Sequence, residues 1–349
     1  MSRPSRPKTL LLSLIVETGT QKTTGRIPFQ QMMRRYLEEV RQTLPKGRYE
    51  ILFVGNGRPA VKLPPDCRFL DRPGLGYYGF KNEGAKAARG KYLVFWDSDC
   101  RVKKGYLKRL LELYRRNPRI IGVGGRSYYD KPHIFSRVNT IICFGPFCQD
   151  MPRLTRQSAI SHNVSIRKDA FPAEPFGPFT GRSGGDMFLT QTAVQKGEPL
   201  LFDPELEIHH EDVTTHLEAL LERLLRDLFT PVVFVRSRSL WAALATGYWH
   251  WPILNLKRLR RVLIYGRHYG VEWYDLPGSL LALAYFAFLE MAALLCMTAW
   301  PPLFTRWIHF QFGSRWIGMK GLSWTPGSTS RPLQENAGHS GPVPAPGEA

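Results

Sequence analysis

The chain has 349 residues, which allows one large domain or two with a sizeable hydrophobic core. Its 48 Lys and Arg residues outnumber 29 Asp and Glu residues, and the formal charge of +19 predicts an anionic partner: nucleic acid, anionic lipid or a phosphorylated substrate. Five cysteines with no CxxC pair and no zinc-ligand spacing argue against a disulfide scaffold and favour a reducing compartment.

The first part of the chain alternates between apolar runs typical of strands and amphipathic stripes typical of helices. The predicted strands cover residues 9–16, 51–54, 68–70, 92–96 and 120–123. The predicted helices cover residues 29–44, 80–89 and 106–114. This alternation predicts an α/β fold whose sheet is largely parallel.

After residue 160 the pattern changes. A strand-like stretch at 163–167 precedes a Gly/Pro/Ser-rich loop at 177–185 and a helix at 187–196. Two short strands are predicted at 200–202 and 207–210. Together with the first part, these elements define a predicted domain over residues 8–215.

The remainder of the chain has the composition of a membrane-associated region. Residues 216–276 are basic and aromatic, which is typical of an interfacial helical segment, and a buried helical subdomain is the alternative. Within 277–303, a stretch of 23 residues carries Glu290 as its only charge and predicts a transmembrane or re-entrant helix. The Pro-, Gly- and Ser-rich residues 325–349 predict a disordered tail.

The strand predicted at 92–96 ends abruptly at Asp97-Ser98-Asp99. Ligands of open α/β sheets bind beyond the carboxyl ends of the strands. Two acids at such an end can hold a hard divalent cation, which in turn holds a diphosphate. A solvated turn with helix-capping acids is the alternative interpretation.

Glycines 74, 76 and 79 match the GxGxxG pattern of dinucleotide-binding loops, and Asp97 lies 18 residues further on. The strand before them is short, however, and Pro73 favours an extended turn over a direct step from strand to helix. An NAD-dependent oxidoreductase therefore remains only an alternative hypothesis.

Two more clusters of polar residues follow. Asp186 comes after Gly184 and Gly185 at the predicted start of a helix, where an acid acts either as a general base or as a helix cap. His209 and His210 follow a strand, and one histidine with two aspartates would complete a cation site.

In this order, the motifs resemble those of the family 2 glycosyltransferases, which have the GT-A fold. The most specific part is Lys81-Asn-Glu-Gly84, followed by the block from Ala88 to Asp99, which is similar to the family's Arg-Asn-x-Gly and Asp-x-Asp block. The segment 163–168 is similar to the acceptor-side Asn-x-x-x-Arg-Arg/Lys stretch. The resemblance covers roughly residues 8–215 and implies a Rossmann-like, mostly parallel sheet flanked by helices.

The resemblance also implies roles for the donor side of the site. Asp97 would contact the donor nucleotide and share a divalent metal, Mg²⁺ or Mn²⁺, with Asp99. Lys81 and Asn82 would face the nucleotide or its diphosphate. The family's base-reading acid after the second strand is absent, and Asn56 stands in its place.

On the acceptor side, the resemblance makes Asp186 the base that deprotonates a hydroxyl. Gly185 replaces the glutamate of the family's Glu-Asp pair. His210 would complete the metal site, with His209 as the alternative. The Gln-x-x-Arg-Trp motif of the processive members is missing, which favours transfer of a single sugar.

The predicted function is therefore a metal-dependent, inverting glycosyltransferase with a nucleotide-sugar donor, for which a UDP-sugar is favoured over a GDP-sugar. The expected acceptor is a hydroxyl of a lipid-linked or membrane-proximal molecule, either lipid-linked or a glycan, and no nucleic acid partner is expected. Basic residues before the apolar stretch predict attachment to the cell membrane with the catalytic domain on the cytoplasmic face. A catalytically silent, membrane-bound nucleotide-binding protein is a further alternative.

Overall fold

The computed structural model describes residues 10–19, 28–144, 153–155, 159–179, 181–198, 200–211, 213–235 and 240–312. The strands are β1 Leu12–Glu17, β2 Tyr49–Gly55, β3 Cys67–Asp71, β4 Tyr92–Asp97, β5 Cys100–Val102, β6 Gly122–Tyr129, β7 Arg153–Thr155, β8 Val164–Arg167 and β9 Leu200–His210. The helices are α1 Phe29–Thr43, α2 Tyr77–Ala87, α3 Tyr106–Arg116, α4 Ile134–Phe144, α5 Gly185–Gln195, α6 Leu217–Val235, α7 Leu240–Tyr265, α8 Leu276–Ala299 and α9 Pro301–Phe312. The predicted disordered tail lies outside these residues.

Within the described part of the chain, nine strands form one sheet in the order β3-β2-β1-β4-β8-β6-β9-β5, and β7 pairs with β9. The first four strands of this order are parallel to one another, whereas β8 is antiparallel to both β4 and β6. β1, β2 and β4 are buried on both faces, as expected for a parallel sheet covered by helices. The predicted α/β fold class is confirmed.

Helix α2 packs unusually close to the sheet through Gly84. A Cβ atom at this position would lie 2.4 Å from Cγ2 of Ile15 on β1, so any larger residue would push the helix away. The close approach brings the first turn of α2 over the carboxyl ends of β1 and β4. This is the edge at which the sequence analysis places the site.

Several elements differ from the predicted ones. The two short strands predicted at 200–202 and 207–210 are one continuous strand, β9. Between the two predicted strands, at Pro204, the pairing of β9 with β6 shifts its register. Helix α2 begins at Tyr77, three residues before its predicted start, and helix α4 was not predicted at all.

The helices after residue 216 pack into a second layer that reaches the sheet through α4. Two hydrophobic clusters hold this layer together; one joins α4, α6, α7 and α8, and the other joins α6, α7, α8 and α9. Residues 273–299 form one helical stretch that is long and apolar enough to cross a membrane, and 33% of its most apolar window is buried inside the protein.

The single charge in this apolar stretch is neutralised within the protein. Glu290 on α8 and Arg258 on α7 are both fully buried, and Arg258 Nη1 lies 2.6 Å from Glu290 Oε1. Asn255 Nδ2 donates to the second carboxylate oxygen at 3.3 Å, and Asp227 on α6 lies 3.7 Å from Arg258 Nη2. This network joins three helices at one point.

Removal of one partner from this pair would leave a buried charge without compensation. We expect Arg258→Met to lower the free energy of unfolding by about 3–5 kcal/mol, and the additional change Glu290→Leu to recover much of the loss. Thermal unfolding of the full chain in detergent, followed by circular dichroism, measures both effects. Arg260→Met, at an exposed position on the same helix, is the control. A double variant no more stable than the single one would contradict the expectation.

Candidate active site

The two acids at the end of β4 lie in a turn whose backbone is fixed on both sides. The hydroxyl oxygen of buried Tyr36 on α1 lies 2.5 Å from the carbonyl oxygen of Asp97 and 2.8 Å from that of Cys100. The backbone N–H of Ser98 donates to the carbonyl oxygen of Glu17 at 3.0 Å. Asp99 is therefore presented from a rigid turn at the carboxyl edge of the sheet.

Asp97 forms a fully buried ion pair with Lys81 of α2. The Lys81 side chain is 0% exposed, and its ammonium donates to Asp97 Oδ1 at 2.6 Å and to the carbonyl oxygen of Ser161 at 2.9 Å. The Tyr77 hydroxyl donates to Asp97 Oδ2 at 2.8 Å. Burial alone would raise the pKa of Asp97, but Lys81 and His210 outweigh it and hold that pKa well below its usual range.

His210, at the end of β9, faces both acids. Its Nε2 lies 3.4 Å from Asp99 Oδ1 and 3.7 Å from Asp97 Oδ2. The side chain of His209 points to the other face of the strand, where it bonds Glu207 at 2.8 Å and stacks on Tyr128. The choice that the sequence left open between the two histidines thus falls on His210.

This cluster has the donor set of a site for a hard divalent cation. Potential ligand atoms of Asp97, Asp99, Cys100 and His210 all lie within 4.8 Å of one another. Asp99 Oδ1 is buried and has no hydrogen-bond partner among the described residues. Burial raises the pKa of the Cys100 thiol well above its usual value, which leaves two carboxylates and an imidazole, the oxygen and nitrogen ligands that suit Mg²⁺ or Mn²⁺.

The electrostatics of the cluster also favour a cation. Burial raises the pKa of Asp99, and the nearby Asp97 adds to this effect. Burial would lower the pKa of His210, but the two aspartates raise it to about 9. The two acids therefore stabilise a positive charge at this position, which is what a bound divalent ion would supply.

Asp186 lies in the first turn of α5, close to the same cluster. Its Oδ1 is buried and has no hydrogen-bond partner among the described residues. Burial raises the pKa of Asp186 to about 6, although Ser161, Lys81 and Arg226 oppose the shift. A carboxylate with this pKa is half-protonated near pH 6, which suits a general base at neutral pH.

A steric contact explains why a glycine, Gly185, precedes Asp186. A Cβ atom at Gly185 would lie 2.5 Å from Cδ1 of Tyr78, so the ring of Tyr78 fills the place where the family's glutamate would begin. Gly184 adopts φ = +98°, a left-handed conformation that side-chain-bearing residues rarely adopt. The packing of Tyr78 therefore requires a residue without a side chain at position 185.

Ser161 connects the two halves of the site. Its hydroxyl lies 2.9 Å from the Tyr77 hydroxyl, which bonds Asp97, and it also interacts with Asp186. His162 follows directly, packs its ring 4.8 Å from that of His210 and bonds Ser127 at 3.1 Å. The sequence analysis did not single out these residues, and their only signal was their position next to the motif that begins at Asn163.

Two arginines of α6, Arg223 and Arg226, add positive charge close to the acids of the site. Arg223 lies 4.5 Å from the centre of the Tyr129 ring. Burial and Arg226 lower the pKa of Arg223 to about 10, which leaves it charged at neutral pH, and Asp99 opposes the shift. The positive charge of Arg226 lowers the pKa of Asp186. The sequence analysis missed both, because they lie in a different part of the chain with no recognisable motif.

Asn82, one of the residues expected to face the nucleotide, has other contacts here. Both ends of the Asn82 amide bind the loop before α5, with Nδ2 at 2.8 Å from the carbonyl oxygen of Gly177 and Oδ1 at 3.1 Å from the backbone N–H of Phe176. We propose that Asn82 supports this loop. Asn56 is exposed after β2, and the neighbouring Gly57 N–H donates to Asp71 at 2.9 Å.

The glycine-rich segment at 74–79 gives no support to the dinucleotide alternative. It connects β3, the edge strand of the sheet, to α2. Asp97, which would have to bind a ribose in that alternative, is instead engaged by Lys81 and Tyr77.

Residues 26–173 match the family described as Glycosyl transferase family 2. The matched stretch includes the Asp97–Asp99 turn and covers less than half of the chain. The chain is also 27% identical over 173 residues to Glycosyltransferase AglE of Haloferax volcanii. That alignment covers 46% of this chain and 56% of the relative, so the chain spans about half the length of the curated relative that it matches.

Similarities to solved structures are more distant. The mannosyltransferase PcManGT from Pyrobaculum calidifontis, in complex with GDP-Man and Mn²⁺, is 15% identical with a TM-score of 0.44, over 90% of this chain and 85% of that one. TarS 1-349 of S. aureus is 15% identical with a TM-score of 0.41, over 85% and 87% of the two chains. At these scores, neither structure determines the donor, acceptor or metal of this chain.

The geometry predicts that Asp99 is needed for a bound cation but not for the fold, since asparagine has nearly the same size and shape and removes only the charge. We expect Asp99→Asn to abolish Mn²⁺-dependent binding of a nucleoside diphosphate, measured by calorimetry, while the melting temperature without ligand stays near wild type. Asp169→Asn, which neutralises an exposed acid on another part of the domain, is the matched control. Unchanged Mn²⁺-dependent binding in Asp99→Asn would contradict the assignment.

Proposed function

We propose that this chain, with its family 2 glycosyltransferase domain, transfers one sugar from a nucleotide-sugar donor to a hydroxyl group of a lipid-linked or membrane-proximal acceptor, with inversion at the sugar carbon. One observation carries the proposal. The Asp99–His210 pair, suited to a cation, and the uncommitted carboxylate oxygen of Asp186 belong to one cluster, in which Ser161 connects the two.

The donor diphosphate would lie against the edge of the sheet that carries Asp97, Asp99 and His210. These residues would hold Mg²⁺ or Mn²⁺, which when bound neutralises charge on the diphosphate leaving group. Lys81 keeps Asp97 ionised and fixed in place. Arg223, charged and close enough to Asp99 to affect its pKa, contributes further positive potential next to the leaving group.

Asp186 would remove the proton from the attacking acceptor hydroxyl. The hydroxyl oxygen forms a bond to the anomeric carbon as the bond from that carbon to the phosphate oxygen breaks, and the electron pair leaves with the nucleoside diphosphate. Because a single displacement occurs from the opposite face, the configuration inverts. The chain needs one base for this step, and within the described residues Asp186 is the acid of the cluster that is free of an ion pair.

The membrane-proximal acceptor is supported by the helical layer. Helix α6 carries Arg223 and Arg226 close to the acids of the site, and α7 and α8 carry exposed apolar residues, including Trp249 and Phe288. Attachment to a membrane with the catalytic domain on the cytoplasmic face remains part of this proposal, as does the preference for a UDP-sugar.

Substitution of the base separates chemistry from binding. We expect Asp186→Asn to lower kcat about a hundredfold or more, since this is the range for loss of a general base, while the Kd of the donor stays near wild type. Release of nucleoside diphosphate measures turnover, and calorimetry measures binding. Asp169→Asn is again the neutralisation control. Equal losses in turnover and donor affinity would instead indicate a structural cap.

The raised pKa of Asp186 predicts the pH profile. Because the base is active only when ionised, kcat should fall as the pH decreases through about 6, with a slope of one proton. The residual activity of Asp186→Asn should lack this acidic limb. An identical limb in the wild type and the variant would assign the titration to another group.

A further inference from the structure

The exposed apolar residues of α8 lie on one face of the helix. Five exposed apolar residues recur at helical spacing along it, and an exposed tryptophan follows its last residue: Leu280, Leu281, Tyr285, Phe288, Leu295 and Trp300. Leu281 and Phe288 are each 68% exposed, and the exposed face of α8 carries no charge. An apolar surface of this length marks a contact with a membrane or with another protein.

The other face of α8 is packed against the protein, and α7 runs antiparallel to it. The Tyr248 hydroxyl lies 2.8 Å from that of Thr298, whereas Arg258, ten residues further along α7, pairs with Glu290. Rising numbers on α7 thus correspond to falling numbers on α8. The basic residues around Arg258 therefore lie alongside the middle of α8.

This arrangement places charges level with the middle of the apolar stretch. Lys257 and Arg260 flank the buried Arg258 and are exposed, and within the described part of the chain neither forms an ion pair. If α8 crossed a bilayer, both side chains would lie at the depth of Glu290, inside the hydrocarbon. Charged groups at that depth are costly unless they face the protein interior or water.

We propose that α7 and α8 lie in the plane of an anionic membrane surface, with the apolar face of α8 among the acyl chains and the exposed basic residues of α7 at the headgroups, and that α8 does not cross the bilayer. Exposed apolar residues, such as Leu256 and Leu263, lie between the basic ones on α7. This mixture is typical of helices that lie in the membrane interface.

Charge complementarity favours a lipid surface over a protein partner. On α7 and α8, the exposed charged side chains are all basic, and the short connection between the two helices exposes one base and one acid, Arg267 and Glu272. Anionic headgroups attract such residues without requiring a defined partner geometry. This arrangement rests on the membrane attachment in the proposed function and specifies how α7 and α8 lie in the membrane. Its test needs no transferase activity.

The first experiment concerns lipid charge and uses the full chain with sealed vesicles of phosphatidylglycerol or phosphatidylcholine. We expect binding to phosphatidylglycerol, and a loss of about a hundredfold in the partition coefficient for Lys257→Glu, Arg260→Glu and Arg267→Glu combined, since each basic residue contributes about fivefold. The control combines Lys104→Glu, Arg115→Glu and Arg119→Glu, the same charge change at exposed positions of the catalytic domain.

Thermal unfolding of the same samples, followed by circular dichroism, shows whether each variant is folded. A melting temperature near wild type with lost vesicle binding supports the proposal. Equal vesicle binding by the two triple variants, or equal binding of the wild type to both lipids, overturns the role of the basic face. Failure of the proposed catalytic function would leave these vesicle results unchanged.

The second experiment tests whether α8 crosses the bilayer. In variants without the native cysteines, Arg267→Cys and Arg306→Cys place a single thiol before α8 and after it, both at exposed positions. A membrane-impermeant maleimide is added to sealed inverted membrane vesicles from cells that express the full chain. Labelling of both thiols from the same side supports the in-plane arrangement. Labelling from opposite sides shows a spanning helix and overturns the proposal.

Discussion

The buried ion pair between Lys81 and Asp97 is the interaction on which the site depends. A fully buried ammonium is tolerable only when paired and hydrogen-bonded, and here a carboxylate and the carbonyl oxygen of Ser161 satisfy it. The pair fixes helix α2 to the end of β4 and holds the loop that carries Ser161. It also keeps Asp97 ionised, so that the neighbouring His210 and Asp99 have a constant electrostatic environment.

Helix α6 connects this site to the second layer of helices. One side carries Arg223 and Arg226, whose charges act on Asp99 and Asp186. The next residue, Asp227, faces Arg258, which is paired with Glu290 on α8. The helix that supplies positive charge to the site is therefore held in place by the helices with the exposed apolar face. Attachment of this layer to a membrane would orient the site relative to the lipid surface.

The outcomes for individual residues show where sequence reasoning is reliable. The strand before Asp97 and the helices on the sheet follow from hydrophobic periodicity, which depends only on local geometry. The choice between His209 and His210 could not be made, because it depends on which face of β9 meets the turn after β4. Glu290 reads as an isolated charge in an apolar run, and its partner Arg258 lies 32 residues away on another helix.

The sequence alone determined the alternating α/β pattern, the acids at the end of a buried strand and the apolar stretch near the C-terminal part, since each is a property of consecutive residues. Tertiary structure decided which of the distant groups meet: Lys81 with Asp97, His210 with Asp99, Ser161 with Tyr77, and Arg258 with Glu290. The physical reason is that the pKa of Asp186 and the neutrality of a buried charge depend on neighbours in space. Those neighbours are fixed only when strands and helices from separate parts of the chain pack together.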